Sequence, residues 1–260
     1  MSGLFHPCVR CLLGAWVFFT LAAPAAAETL VVGLSNNDLQ ITSNFTGDSI
    51  TLFGTIERDA ATVARRGAYD VVVVVRGPRD GITAREKTRV AGIWLNTQSR
   101  TFYQAPIYYA MLSTRPIQEI ATPEVLQSHG IGARNGVLRQ AAAVRDERTD
   151  VFLNALVRLQ KQNGLFYDQP GAVEFLSNNL FVATIPIPAT VPVGAFTAEV
   201  HLFSGGAQLT VEEAVFIVDK TGFEQFVYLL ANQRPFLYGV ASVLLAFLTG
   251  WLGGVVFRRD

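Results

Sequence analysis

Asp70-Val71-Val72-Val73-Val74-Val75-Arg76 sets five consecutive valines between two charged residues. Branching at Cβ stiffens χ1 and suits a pleated sheet better than a helix, so the run reads as a strand. Upstream, Thr29 to Leu34, Asp38 to Thr42 and Ser49 to Ile56 are similarly β-rich. They are separated by the turn compositions Ser35-Asn36-Asn37 and Asn44-Phe45-Thr46-Gly47-Asp48. Downstream, Arg89 to Leu95 and Ile107 to Leu112 read as further strands. Strands at this spacing predict a mainly β chain folded as an antiparallel sandwich.

The middle of the chain has a different period. Thr122-Pro123-Glu124 starts a short helix with a cap residue and a proline in the first turn. From Asn135 to Asn163 the pattern is helical, with Val151, Phe152, Ala155, Leu156 and Leu159 on one face. Thr149 or Asp150 would cap the second helix and Gly164 would stop it. Strands return at Leu180 to Pro188, Gly194 to Phe203 and Gln208 to Val218, the last two joined by a Ser204-Gly205-Gly206 turn. These look like the closing hairpin of an immunoglobulin-like domain and are too few to stand alone. The expected architecture is one immunoglobulin-like antiparallel sandwich, residues 28–221, with a helical insertion at about 122–164; two subdomains are the alternative.

The ends carry much of the apolar surplus. Residues 1–27 combine Arg10, an apolar run from Cys11 to Leu21 and the small-residue stretch Ala25-Ala26-Ala27, the pattern of a cleaved signal peptide. From Pro235 to Phe257 there is no charged residue. At about 1.5 Å of rise per residue this length crosses a hydrocarbon core of about 30 Å, so a transmembrane helix is expected over 235–257. Arg258 and Arg259 follow it and place a short tail, 258–260, in the cytoplasm by the positive-inside rule. Phe223, Phe226, Val227 and Leu230 share one face of a juxtamembrane helix over 222–234. The expected topology is single-pass, with the N-terminal domain on the outer side of the membrane and the C-terminus in the cytoplasm. Within the span, Ser242, Ala246, Gly250 and Gly254 recur every four residues as a stripe of small side chains, a packing face for a partner helix or a second copy.

The chain has 260 residues, 50% of them hydrophobic and 16% charged, with 21 basic and 21 acidic residues. That composition excludes a disordered chain and a generally basic nucleic-acid binder. Both cysteines, Cys8 and Cys11, lie in the signal-like segment, so the domain core must hold without disulfides.

Groups suited to catalysis are sparse. Beyond residue 27 the histidines are His129 and His201, with no HExxH pattern and no close carboxylate cluster at metal-ligand spacing. In Glu199-Val200-His201-Leu202, alternation puts Glu199 and His201 on one face of a strand, read as an exposed pair; His129 before Gly130 closes a helix. Ser204-Gly205-Gly206 lacks the GxSxG elbow. Glu212-Glu213 and Asp146-Glu147 are adjacent in sequence and so point different ways. No enzyme, cofactor or metal site is expected. Charge is nonetheless polarised: Arg58 to Arg100 carries nine basic and four acidic residues, Asn163 to Pro235 two basic and seven acidic. The basic stretch reads as a face for a small oxyanion or anionic lipid headgroups, with Arg76 and Arg79 as the candidate contacts, because a guanidinium grips two oxygens at once. The competing readings are that the two halves pair with each other across the sandwich, or that the charges solvate loops such as Arg76-Gly77-Pro78-Arg79-Asp80-Gly81.

Several stretches resemble a family of alphaproteobacterial transmembrane proteins. They are Leu180-Phe181 through Ile185-Pro186, Val191-Pro192-Val193-Gly194-Ala195-Phe196, Lys220-Thr221-Gly222-Phe223-Glu224, Leu237-Tyr238-Gly239 and Gly250-Trp251-Leu252-Gly253, together with Tyr109-Ala110-Met111-Leu112-Ser113-Thr114-Arg115-Pro116. The likeness covers residues 28 to 260. It implies no catalytic motif and points to an anion-exporter-type permease as a partner. The expected function is therefore a membrane-anchored periplasmic interaction or accessory module. The alternative is a periplasmic domain that binds or senses a small anion.

Overall fold

A computed structural model describes residues 28–42, 44–57, 68–140, 147–221 and 223–256. The signal-like segment with Cys8 and Cys11, the basic residues Arg58, Arg65 and Arg66, Asp146, and the topology residues Arg258 and Arg259 lie outside the described residues. The chain begins with β1 (Thr29–Leu34), β2 (Asp38–Ile41), β3 (Gly47–Glu57), β4 (Tyr69–Arg76), β5 (Arg79–Val90), β6 (Ile93–Pro106) and β7 (Tyr109–Ser113). Four helices follow: α1 (Ile117–Ile120), α2 (Pro123–His129), α3 (Ala133–Gln140) and α4 (Glu147–Gln162). Then come β8 (Phe166–Pro170), β9 (Val173–Phe175), β10 (Leu180–Pro188), β11 (Gly194–Ser204), β12 (Ala207–Lys220), α5 (Phe223–Gln233) and α6 (Pro235–Val256).

The five valines form a strand that is buried on both faces. β4 sits inside a six-stranded sheet of order β2-β12-β11-β4-β7-β8. Val71, Val73 and Val75 enter a core shared with the other sheet, β1-β3-β10-β9, while Val72 and Val74 enter a second core beneath the helices. A strand covered on both sides can be continuously apolar, which is what the valine run records. Between the sheets, Ile50, Leu52 and Ile56 of β3 and Phe181, Ile185 and Ile187 of β10 pack with Phe196, Val200 and Leu202 of β11 and Phe216 of β12. This is the expected sandwich with its helical insertion and C-terminal apolar helix.

The pairing differs from the expectation at both edges of the larger sheet. β2 runs parallel to β12, and β8 runs parallel to β7. A parallel neighbour needs a crossover connection, and α1 to α4 supply it between β7 and β8. The insertion is thus the crossover that places β8, and its helices cover the outer face of the sheet. Ile120, Leu126, Val137, Phe152, Leu153 and Leu156 pack there on Val72, Val74, Tyr109, Met111 and Phe203. α3 approaches the sheet closely because residue 136 is glycine: a Cβ there would lie 2.8 Å from the Tyr109 ring. Thr149 is buried within α4, which is described from Glu147 onward. At its other end Gly164 has φ +67 and stops the helix as expected.

The second correction concerns Arg89 to Leu95. It is not one strand but the end of a hairpin, in which β5 and β6 pair from Arg79↔Pro106 to Val90↔Ile93. Ala91 and Gly92 form the two-residue turn with φ values of 50° and 89°, the positive pair that a type I′ hairpin turn requires. The ladder of β4 with β7 continues into this ribbon through Gly77 N donating to Tyr108 O and Ile107 N donating to Pro78 O, both at 2.9 Å. Beyond β12, α5 and α6 are separated by Arg234 alone, and backbone bonds from Arg234 N to Leu230 O and from Tyr238 N to Arg234 O bridge the junction.

Candidate functional site

Alternation along β4 carries Arg76 onto the same face as Val72 and Val74. On neighbouring β11, Phe196, Ala198, Val200 and Leu202 face the other sheet. Glu199 and His201 therefore face the helices beside Arg76. The sequence reading had this Glu–His pair exposed. β11 is an inner strand of a sheet covered on both sides, so His201 is only 2% exposed and Arg76 4%.

These side chains are joined. Arg76 Nη1 makes an ion pair with Glu199 Oε1, and Arg76 Nη2 donates to Gly130 O at 3.1 Å. The Gly130 carbonyl is available because α2 ends there in a left-handed cap, φ 65. His201 Nε2 lies 3.4 Å from Glu199 Oε2, and its Nδ1 lies 3.2 Å from Gln208 Oε1. The His129 ring, closing α2 as expected, stands 6.4 Å from the His201 ring. The two histidines beyond residue 27 thus meet, 72 positions apart in the chain, where the insertion docks on the sheet. Arg76 Nε has no hydrogen-bond partner among the described residues.

The electrostatics follow from the contacts. Burial by itself would raise the Glu199 carboxyl, but hydrogen bonding by His201 and Arg76 and the Arg76 charge bring it down to about 2. Burial pushes the Tyr109 hydroxyl well above the usual phenol range, and its oxygen accepts from Gly132 N at 2.8 Å. A carboxylate held ionised against a guanidinium is a poor proton carrier near neutrality. The cluster acts as a clamp, tying β4 and β11 to the end of α2. Among the described residues, no group of three or more His, Cys, Asp or Glu is placed to share a metal ion.

The expected anion contacts are therefore not brought together. Arg76 is buried and its charge is met by Glu199, whereas Arg79, past the Gly77-Pro78 bend, is exposed at the start of β5. At this point the basic and acidic halves do pair with each other. Asp70, an acidic residue within the basic stretch, is held separately by Arg115 through two bonds of 2.8 and 2.7 Å. A shallow groove along α4 gathers Arg134, Arg158 and Lys161, but Arg134 is bonded to Asp150 at 2.6 Å and Lys161 to Asp168 at 3.1 Å.

The exposed features are elsewhere. No part of the apolar window of α6 is buried. Ser242 satisfies its hydroxyl by donating to Tyr238 O at 2.8 Å, and a Cβ added at Gly250 or Gly254 would meet nothing within 4 Å. The small-residue stripe of Ser242, Ala246, Gly250 and Gly254 thus lies on a helix whose surface is open. Another exposed feature is the end of the β5–β6 ribbon, where Ile93 is 61% and Trp94 68% exposed. Sequence reading missed this projection because Val90 to Leu95 is β-prone throughout and its turn, Ala91-Gly92, lacks the usual Asn or Asp. The one available signal was Gly92 set between two apolar pairs.

A comparison with characterised proteins finds no match. A family model described as "Putative transmembrane protein (Alph_Pro_TM)" matches residues 29–259. That range takes in both sheets, the insertion and α6. With its β-rich domain joined directly to an exposed apolar helix, the chain is a membrane-associated protein and belongs to this transmembrane family.

Proposed function

We propose that the protein is a non-catalytic, membrane-anchored interaction module. It stands in the periplasm on the bacterial inner membrane, and α6 docks a partner helix through Ser242, Ala246, Gly250 and Gly254. The partner is an anion-exporter-type permease or a second copy of the chain. The observation that carries this reading is α6 itself: an uncharged helix of 22 residues, none of its apolar window buried, attached to the domain with one residue between it and α5. In lipid, apolar burial does not drive helices together, so close approach over small residues does. The clamp supports the reading from the other side, since its ionisable groups are engaged with one another.

Crosslinking in membranes followed by identification of the products tests it. Gly250→Leu and Gly254→Leu place bulk on the stripe without disturbing the chain's own packing. Loss of the crosslinked permease or dimer in these variants is expected. If both variants keep every partner, α6 is an anchor and nothing more.

A further inference from the structure

The β5–β6 ribbon ends in an apolar tip that none of the described residues covers. Val90, Ile93, Trp94 and Leu95 are 46%, 61%, 68% and 44% exposed. Cross-strand partners share a face. Val90↔Ile93 and Thr88↔Leu95 therefore lie on one side, and Arg89↔Trp94 and Lys87↔Asn96 on the other. One side of the last rungs is thus apolar, through Val90, Ile93 and Leu95, while the other sets Trp94 opposite Arg89, with Lys87 farther back on that side.

The turn has the same character. Positive φ at both turn positions favours Asn, Asp or Gly. Ala91 nonetheless takes φ 50, so this turn carries no polar side chain at some conformational expense. The Gly92 carbonyl at the tip is met by Arg89 Nε at 3.3 Å, and Thr88 Oγ1 donates to Thr97 Oγ1 at 3.1 Å. Two polar groups near the tip are thereby met within the ribbon, which lowers the cost of moving it out of water.

The root of the ribbon lies at the membrane-leading end of the sheet. β12 delivers the chain to α5 from Lys220, and Val218 pairs with Gly194. A Cβ on Gly194 would come within 2.6 Å of Pro78, the residue just before the ribbon. The ribbon and the chain toward the anchor thus leave from one edge of the domain.

We propose that the tip, Val90 to Leu95, inserts into the interface of the bilayer that α6 crosses, with Lys87 and Arg89 at the level of anionic headgroups. This rests on the membrane-anchored reading above. Tryptophan with flanking cations is suited to that depth. The open edges of a two-stranded ribbon keep it from going deeper, because unpaired backbone groups are not tolerated in hydrocarbon. The anchor confines the tip near the lipid surface, so a small apolar area suffices.

The test uses the full chain with Trp16→Phe and Trp251→Phe, which leaves Trp94 as its one tryptophan. It is reconstituted in vesicles of phosphatidylethanolamine and phosphatidylglycerol. The expected result is a blue-shifted Trp94 emission, quenched by brominated lipid and shielded from acrylamide. Ile93→Ser with Leu95→Ser should undo all three while the protein still floats with the vesicles. Water-exposed Trp94 emission in a chain that floats overturns the insertion and leaves the anchor standing. Shielding found in native membranes but not in pure lipid also overturns it, in favour of a protein partner. A chain that does not float refutes the anchor and the insertion together.

Discussion

Arg76 and Arg79 stand three positions apart in one basic stretch and end in opposite surroundings. Arg76 is inside the molecule, held by Glu199 and a helix-end carbonyl. Arg79 opens a ribbon whose exposed rungs carry Arg85, Lys87 and Arg89. Between them the chain bends at Gly77-Pro78, where the sheet ends and the ribbon begins. A run of like charges in a sequence is therefore not one surface. Its members divide according to which side of a bend they fall on and what covers that side.

The largest test of this contrast removes the buried cation. Arg76→Ala leaves Glu199 buried without its counter-charge, and breaking such a pair costs about 3–5 kcal/mol. Thermal unfolding of the full chain in detergent should show a marked fall in Tm. Joint replacement, Arg76→Met with Glu199→Leu, should recover most of it, since an apolar pair needs no counter-charge. If the double variant is as unstable as the single, the pair does more than neutralise charge.

Acid should act next. Glu199 is lowered from 4.5 to about 2, so its contribution is fully present above its ordinary value and is lost as pH falls through the range between the two. The loss is on the order of 2 kcal/mol, given that the group is only partly buried. Unfolding measured from pH 5 to about 2 should steepen in the natural chain, and this component should vanish in the double variant. A Glu199 whose carboxylate signal titrates near 4.5 by NMR would remove the basis for it.

The smallest effect belongs to the exposed cation. Arg79→Ala should shift stability by no more than about 0.5 kcal/mol. A drop comparable to that of Arg76→Ala would mean that the ribbon's root is part of the clamp.

The sandwich was legible because period-2 alternation and turn chemistry act over a few residues. Leu180 to Pro188, Gly194 to Phe203 and the Ser204-Gly205-Gly206 turn formed nearly where they were expected. The apolar span was legible for a simpler reason, being length without charge. The short edge strands β8 and β9 were not, because Phe166–Pro170 and Val173–Phe175 are too brief for a period, and β8 depends on the crossover to bring it beside β7. The Ala91-Gly92 turn escaped notice because its residues are not those that usually mark one. The clamp was only half legible: alternation placed Glu199 and His201 together on one face, but nothing local said that helices would cover it.

Composition, periodicity and charge thus settled most of the sandwich strands, the longer helices and which of them suits a membrane, since those preferences are local. Tertiary structure alone set Arg76 against Glu199, joined His129 to His201 and left Trp94 in the open. Burial depends on what packs above a strand, and pairing depends on residues brought from more than a hundred positions away, as between Arg76 and Glu199.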